Sequence, residues 1–167
     1  MPEIRKVLIP NRSEIALRII KTCRKMGIQT VMAYSDQDVR SLPVREADEA
    51  YALEGTALDE TYLHAEKILK IARKSGADAV HPGYGFLAEN APFASACRDA
   101  GLTFIGPTPE VITLMGSKTS ARRAAMAAGV PVVPGTEEPF AADDPDSAIV
   151  SAAARIGYPL LVKAVAG

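Results

Sequence analysis

Only two cysteines, Cys23 and Cys97, occur in 167 residues, and the charges nearly cancel, with 19 basic side chains against 20 acidic ones. Each scarcity excludes a class of protein. Two distant cysteines make neither a disulfide framework nor the closely spaced set of a metal or redox motif. Both fall within helical patterns among apolar neighbours and are expected to be reduced core thiols. Without a basic excess or stripe, a nucleic-acid partner is not expected. No apolar run approaches the ~20 residues that span a bilayer. The start, Met1 to Lys6, leads directly into a strand-like run and lacks the apolar stretch and cleavage site of a signal peptide. Asn11-Arg12-Ser13 fits the glycosylation pattern but has no secretory context. These features lead to the expectation of a soluble cytoplasmic protein with no membrane partner. The first strand-to-helix turn, Ile9 to Glu14, contains no glycine. A dinucleotide fingerprint needs glycines there, so that backbone amides reach the pyrophosphate, and NAD or FAD binding at this turn is excluded.

What is present is apolar material, 48% of the chain, enough for one core or for one core and the start of another. Residues 4 to 9 read as a buried strand. From Ser13 the period changes: Ile15, Ile19, Cys23 and Met26 recur at helical spacing, with Ser13 placed as N-cap and Gly27 as the stop. Gln29 to Tyr34 reads as a second strand and Glu49 to Leu53 as a weaker third. A helix is predicted from about Asp59 to Ser75, and a short strand over Ala79-Val80-His81. Then come helix Ala91 to Ala100, strand Thr103 to Ile105 and a short helix opened by Thr108-Pro109. This alternation with short connections predicts an α/β fold, a Rossmann-like doubly wound parallel sheet. Ligands of such sheets bind beyond the carboxyl ends of the strands.

Beyond Leu114 the pattern predicts helices over Ser117 to Ala128 and Asp146 to Ile156, then a strand from Tyr158 to Ala164. A terminal strand with no local mate leads to the expectation that the chain is a fragment whose second domain is incomplete. A cis peptide is expected at Tyr158-Pro159, in the tight Gly-Tyr-Pro entry to that strand.

Three segments carry possible chemistry. Gly116-Ser117-Lys118-Thr119 resembles the end of a Walker A loop but lacks adjacent Gly-Lys and the upstream glycine, so it is rejected as one. Lys118 nevertheless opens a helix, where free amides favour anions. His81 to Asn90 places Tyr84 between two glycines just after a strand; it is either a tight turn packing Tyr84 and Phe86 into the core or a ligand-facing loop. Lys163 ends an apolar strand-like run, and either reaches water or meets an anionic ligand.

Taken in order, Asn11 to Ala16, His81 to Asn90, Phe104-Ile105-Gly106-Pro107, Leu114 to Lys118 and Gly157 to Lys163 resemble the biotin carboxylase family along essentially the whole chain. That family includes the biotin carboxylase parts of acetyl-CoA, propionyl-CoA, methylcrotonyl-CoA and pyruvate carboxylases. The resemblance implies that residues 1–113 are the domain preceding an ATP-grasp domain, and that residues 114–167 are the truncated start of the ATP-grasp domain. It implies an ATP-dependent ligase: MgATP activates bicarbonate as carboxyphosphate, and the carboxyl group passes to biotin tethered to a carrier. Lys118, Lys163 and Gly167 match positions at the family's ATP site. Tyr84 matches a tyrosine near the biotin ring, and Arg18 a residue of the homodimer contact. The implied partners are a biotin carboxyl carrier, a carboxyltransferase component and a second copy in the parent protein. Ligands for Mg²⁺ and the residues for bicarbonate belong downstream, so no catalytic or metal residue is expected here and the chain alone is expected to be inactive. Ser13 stands where most members have glycine, with a small local effect expected. Two other readings are a different ATP-grasp ligase, such as a carbamoyl-phosphate synthetase, and a non-catalytic dimerisation or docking module.

Overall fold

The computed structural model describes residues 3–136 and 138–163. It divides into two compact units, Met1–Ile112 and Thr113–Gly167.

The first unit is built on five parallel strands: β1 (Lys6–Ile9), β2 (Gln29–Tyr34), β3 (Glu49–Ala52), β4 (Ala79–Val80) and β5 (Thr103–Phe104). Their order is β3-β2-β1-β4-β5. The chain starts at the centre, builds outward through β2 and β3, then returns to lay β4 on the other side of β1. The reversal opens a crevice beyond the carboxyl ends of β1 and β4, the usual ligand position in open parallel sheets.

Both sheet faces are covered. On one, α1 (Ser13–Lys25) packs Ala16, Ile19, Ile20 and Cys23 against Val7, Ile9, Met32 and Ala79. On the other, α3 (Ala65–Ser75) and α4 (Ala91–Asp99) bury Ile68, Ala72, Phe93 and Cys97 against Leu8, Val31 and Val80. Central strands buried on both sides read as apolar runs, which is why β1 and β2 stand out in sequence. Strand β3 lies at the edge and alternates half-buried with exposed residues. Both thiols are buried and free, and burial pushes Cys97 up to about 12. A short helix α2 (Leu42–Glu46) lies between β2 and β3.

Three expectations need correction. The helix predicted from Asp59 begins at Ala65. Residues 58–63 instead form turns, because Thr61 Oγ1 donates back to the Ala57 carbonyl at 2.7 Å and the Tyr62 hydroxyl turns inward to Asp38 at 2.8 Å. Ser13 is not an N-cap. Arg12 precedes the helix, no side chain caps it, and Ser13 sits inside the first turn at φ 56°. That left-handed angle costs an L-residue ~1–2 kcal/mol and costs glycine almost nothing. Ser13→Gly is therefore expected to raise stability by ~0.5–1 kcal/mol, after allowing for the extra freedom glycine gives the unfolded chain. Chemical denaturation checks this; an unchanged or lower midpoint refutes it.

The third correction concerns the second unit. Helix α5 (Pro109–Gly116) spans the boundary, with Thr108 Oγ1 accepting from the Val111 amide at 3.4 Å. It is followed by α6 (Lys118–Ala127) and α7 (Asp146–Ile156). The Tyr158-Pro159 peptide is cis. Over residues 158–163, however, there is no strand: Leu161 and Val162 are exposed, because no strand among the described residues pairs with this segment. From Thr113 onward, Ala152 is the one buried hydrophobic residue among those described. No helix among the described residues is long and apolar enough to cross a membrane.

Candidate functional site

Two loops meet at the crevice. After β1 the chain turns through Asn11, Arg12, Ser13 and Glu14 into α1; after β4 it runs from His81 to Asn90 into α4. They frame a cavity of about 380 Å³ lined by Asn11, Arg12, Ser13, Glu14, Ile15, Tyr84, Gly85 and Phe86. The conformation of the second loop depends on glycine. Gly83 and Gly85 adopt φ 70° and 65°, and a Cβ on Gly83 would stand 2.9 Å from Asn11 Nδ2.

The two aromatic side chains of this loop part company. Tyr84 is 61% exposed at the cavity, and its hydroxyl donates to a Glu14 carboxylate oxygen, which holds the phenol pKa above its ordinary value. Phe86, at φ 44°, turns inward and stacks on Tyr62 with ring centroids 5.1 Å apart. Of the two side chains, Phe86 thus packs into the core, whereas Tyr84 stays exposed at the cavity. His81 Nδ1 accepts from the Gly83 amide at 3.2 Å, and burial lowers the imidazole pKa, favouring the neutral ring that this bond requires.

Behind the cavity lies a polar cluster. Asp38 Oδ2 accepts from the Tyr62 hydroxyl and from Ser35 Oγ, each at 2.8 Å. The Tyr62 oxygen accepts from the Ser35 amide at 3.1 Å. Arg12 pairs with Asp38 at 3.1 Å and lies 5.9 Å from the centre of the Tyr62 ring. Burial, above all, pushes Tyr62 up to about 12. Glu14, Ser35, Asp38 and Tyr62 were not singled out from sequence. The polar run Ser35 to Asp38 directly after β2 was the available signal, since it falls at the carboxyl edge of the sheet. Tyr62 had none, because the neighbouring helical pattern absorbed it.

Arg18 faces elsewhere on α1. With Glu14, Leu17, Lys21, Thr22 and Lys25 it lines a second cavity of about 420 Å³. Glu14 belongs to both cavities. Lys118 and Lys163 lie in the second unit. Lys118 is the first residue of α6, exposed, beside Ser117, whose Oγ accepts from the Ser120 amide at 3.3 Å. Lys163 is exposed on an irregular segment rather than at the end of a buried strand. Gly167 lies outside the described residues.

Residues 3–112 match the family of biotin carboxylase N-terminal domains. The chain is 53% identical over 163 residues to the biotin carboxylase of Halalkalibacterium halodurans, covering 98% of this chain and 35% of that one. It is 48% identical over 165 residues to mitochondrial pyruvate carboxylase of Mus musculus, covering 98% of this chain and 14% of the relative. The biotin carboxylase domain of Hydrogenobacter thermophilus 2-oxoglutarate carboxylase, a dimer in complex with MgADP, ADP and bicarbonate, superposes with a TM-score of 0.88 at 47% identity. That match covers 100% of this chain and 36% of the other. The chain thus spans about a third of the length of the curated biotin carboxylase it matches. On the family match and the identity, supported by the superposition, the chain belongs to the biotin carboxylase N-terminal domain family.

Proposed function

We propose that this chain forms the amino-terminal part of a biotin carboxylase that uses MgATP and bicarbonate to carboxylate carrier-bound biotin. The supporting observation is the cavity where the Tyr84 loop meets the turn after β1, at the reversal of the sheet. An exposed phenol ring beside a carboxylate suits a compact polar heterocycle: the ring offers a flat apolar face, and Glu14 and the Tyr84 hydroxyl offer hydrogen bonds to a ureido group.

On this reading residues 1–113 precede the ATP-grasp domain and residues 114–167 begin it. Bound ATP supplies the phosphoryl group that activates bicarbonate. Lys118, at the amide-rich start of α6, and Lys163 neutralise phosphate charge, the main contribution a protein makes to phosphoryl transfer. Gly167, outside the described residues, is assigned to the same ATP role on the resemblance alone. The Mg²⁺ ligands and the bicarbonate site are assigned to the remaining length of the relatives. The α1 face around Arg18 is assigned to contact with a second copy, and a biotin carrier and a carboxyltransferase component complete a cytoplasmic assembly. The final acceptor is selected by the carboxyltransferase.

The test uses the full-length protein that carries this chain. With MgATP and bicarbonate, adding biotin is expected to accelerate ADP release; ADP release indifferent to biotin would refute the assignment. The isolated 167-residue chain is expected to show no such activity and at most weak MgATP binding, and submicromolar binding by calorimetry would contradict the division of labour proposed.

A further inference from the structure

We propose that Asn11 is the positioning residue for Tyr84, holding the backbone on both sides of Gly83 and so setting where the phenol ring stands beside the cavity. This deepens the reading of Tyr84 as a ligand-facing residue and rests on it.

The argument starts from exposure. Tyr84 is 61% exposed, so packing does not fix its ring; its location is set by the backbone beneath it and by the contact of its hydroxyl with Glu14. That backbone belongs to a loop without ladder partners. Asn11 is 3% exposed, and its amide supplies what the loop needs. Nδ2 donates to the Pro82 carbonyl at 2.7 Å and to the Tyr84 carbonyl at 2.9 Å, while Oδ1 accepts from the Arg12 amide at 2.8 Å. A primary amide carries two donors and one acceptor in one plane, and here all three are used. The same amide packs on the bare Cα of Gly83, where a Cβ would come within 2.9 Å. Donor plane and missing side chain are matched to each other. The burial also accounts for the glycosylation-like Asn11-Arg12-Ser13 triplet: its asparagine faces the interior.

Asn11→Ala leaves both carbonyls unpaired and releases the loop. The test follows the Tyr84 ring by NMR in the 167-residue chain with isotopically labelled tyrosine, assigned through Tyr84→Phe, across a pH titration. In the native chain Tyr84 is expected to ionise above its ordinary value, because its neutral hydroxyl donates a hydrogen bond to the Glu14 carboxylate. In Asn11→Ala, Tyr84 is expected to return to the ordinary value of ~10 while Tyr62 continues to ionise near 12. A role confined to stability lowers the melting temperature and leaves Tyr84 titrating as before; that outcome overturns the proposal. Should Asn11→Ala fail to fold, Gly83→Ala disturbs the same contact from the loop side and is read in the same way. Biotin added to the full-length protein that carries this chain, with the same tyrosine label, separates the two claims. An Asn11 effect on Tyr84 without any response of Tyr84 to biotin supports the positioning role and removes the biotin assignment.

Discussion

Tyr62→Ala is expected to cost ~3–5 kcal/mol of stability, the range for truncating a fully buried aromatic side chain. Against a typical total of ~5–15 kcal/mol for a domain, this is a large share of the stability of residues 3–112. Three losses combine. The ring is 1% exposed, so its removal opens a cavity in the core that α3 and α4 share with the sheet. Phe86 loses the ring on which it stacks. Asp38 loses its phenol donor, and the Ser35 amide loses its acceptor. Tyr62→Phe separates these contributions. It keeps the ring and the stack, removes the hydroxyl, and is expected to cost ~1–3 kcal/mol, as for a buried partner left unsatisfied. The phenol also carries a pH signature. Its folded pKa of about 12 lies above the unfolded value of ~10, so the folded state favours the neutral form. The contribution is intact below pH ~10 and is lost as pH rises toward 12, amounting to ~2–3 kcal/mol across that window. Tyr62→Phe should lose less stability than the native chain over the same window. Urea unfolding at neutral and alkaline pH measures both effects; a Tyr62→Ala cost below ~1 kcal/mol would show that the ring is not the hub described.

In the full-length protein, Lys118→Gln and Lys163→Gln are each expected to raise KM for ATP by ~10-fold or more. A hydrogen bond to a charged group contributes ~1.5–3 kcal/mol, and ~1.4 kcal/mol corresponds to a factor of ten. If the two ammonium groups serve one phosphate cluster, their losses will not add, and the double variant will fall short of the product of the single effects. Both lysines are exposed, so thermal stability should change little, within ~0.5 kcal/mol. Steady-state kinetics at varied ATP, with KM for bicarbonate as the control, distinguishes a nucleotide role from a general defect. An unchanged KM for ATP in both variants would withdraw these residues from the proposed site.

Much of the first unit was legible because its physics is local. Buried parallel strands read as apolar runs, and α1, α3 and α4 present regular stripes closed by glycine or basic residues. The loop around Tyr84 also announced itself, since two glycines around an aromatic side chain are hard to explain without special backbone angles. What escaped depends on contacts remote in sequence. Tyr62 leaves the helical pattern in part because Asp38 and Ser35, some two dozen residues earlier, engage its hydroxyl. Ser13 looks like a cap by residue type, yet its backbone sits at φ 56°, an angle that glycine adopts at almost no cost. The run to Lys163 reads as a strand by composition, but strand structure requires a neighbour, and the described residues provide none.

The central place of β1 in the sheet has a consequence for synthesis. Its first neighbour, β2, is complete within the opening 34 residues, whereas its second, β4, begins only at Ala79. The bond from Asn11 to Pro82 spans 71 positions and has nothing to close onto until that later strand docks. On a growing chain the turn after β1 therefore waits with a polar amide unmatched, and the crevice takes shape only after more than half of the first unit has emerged. A chaperone acting in that interval would meet a half-sheet whose β4-facing edge is still open.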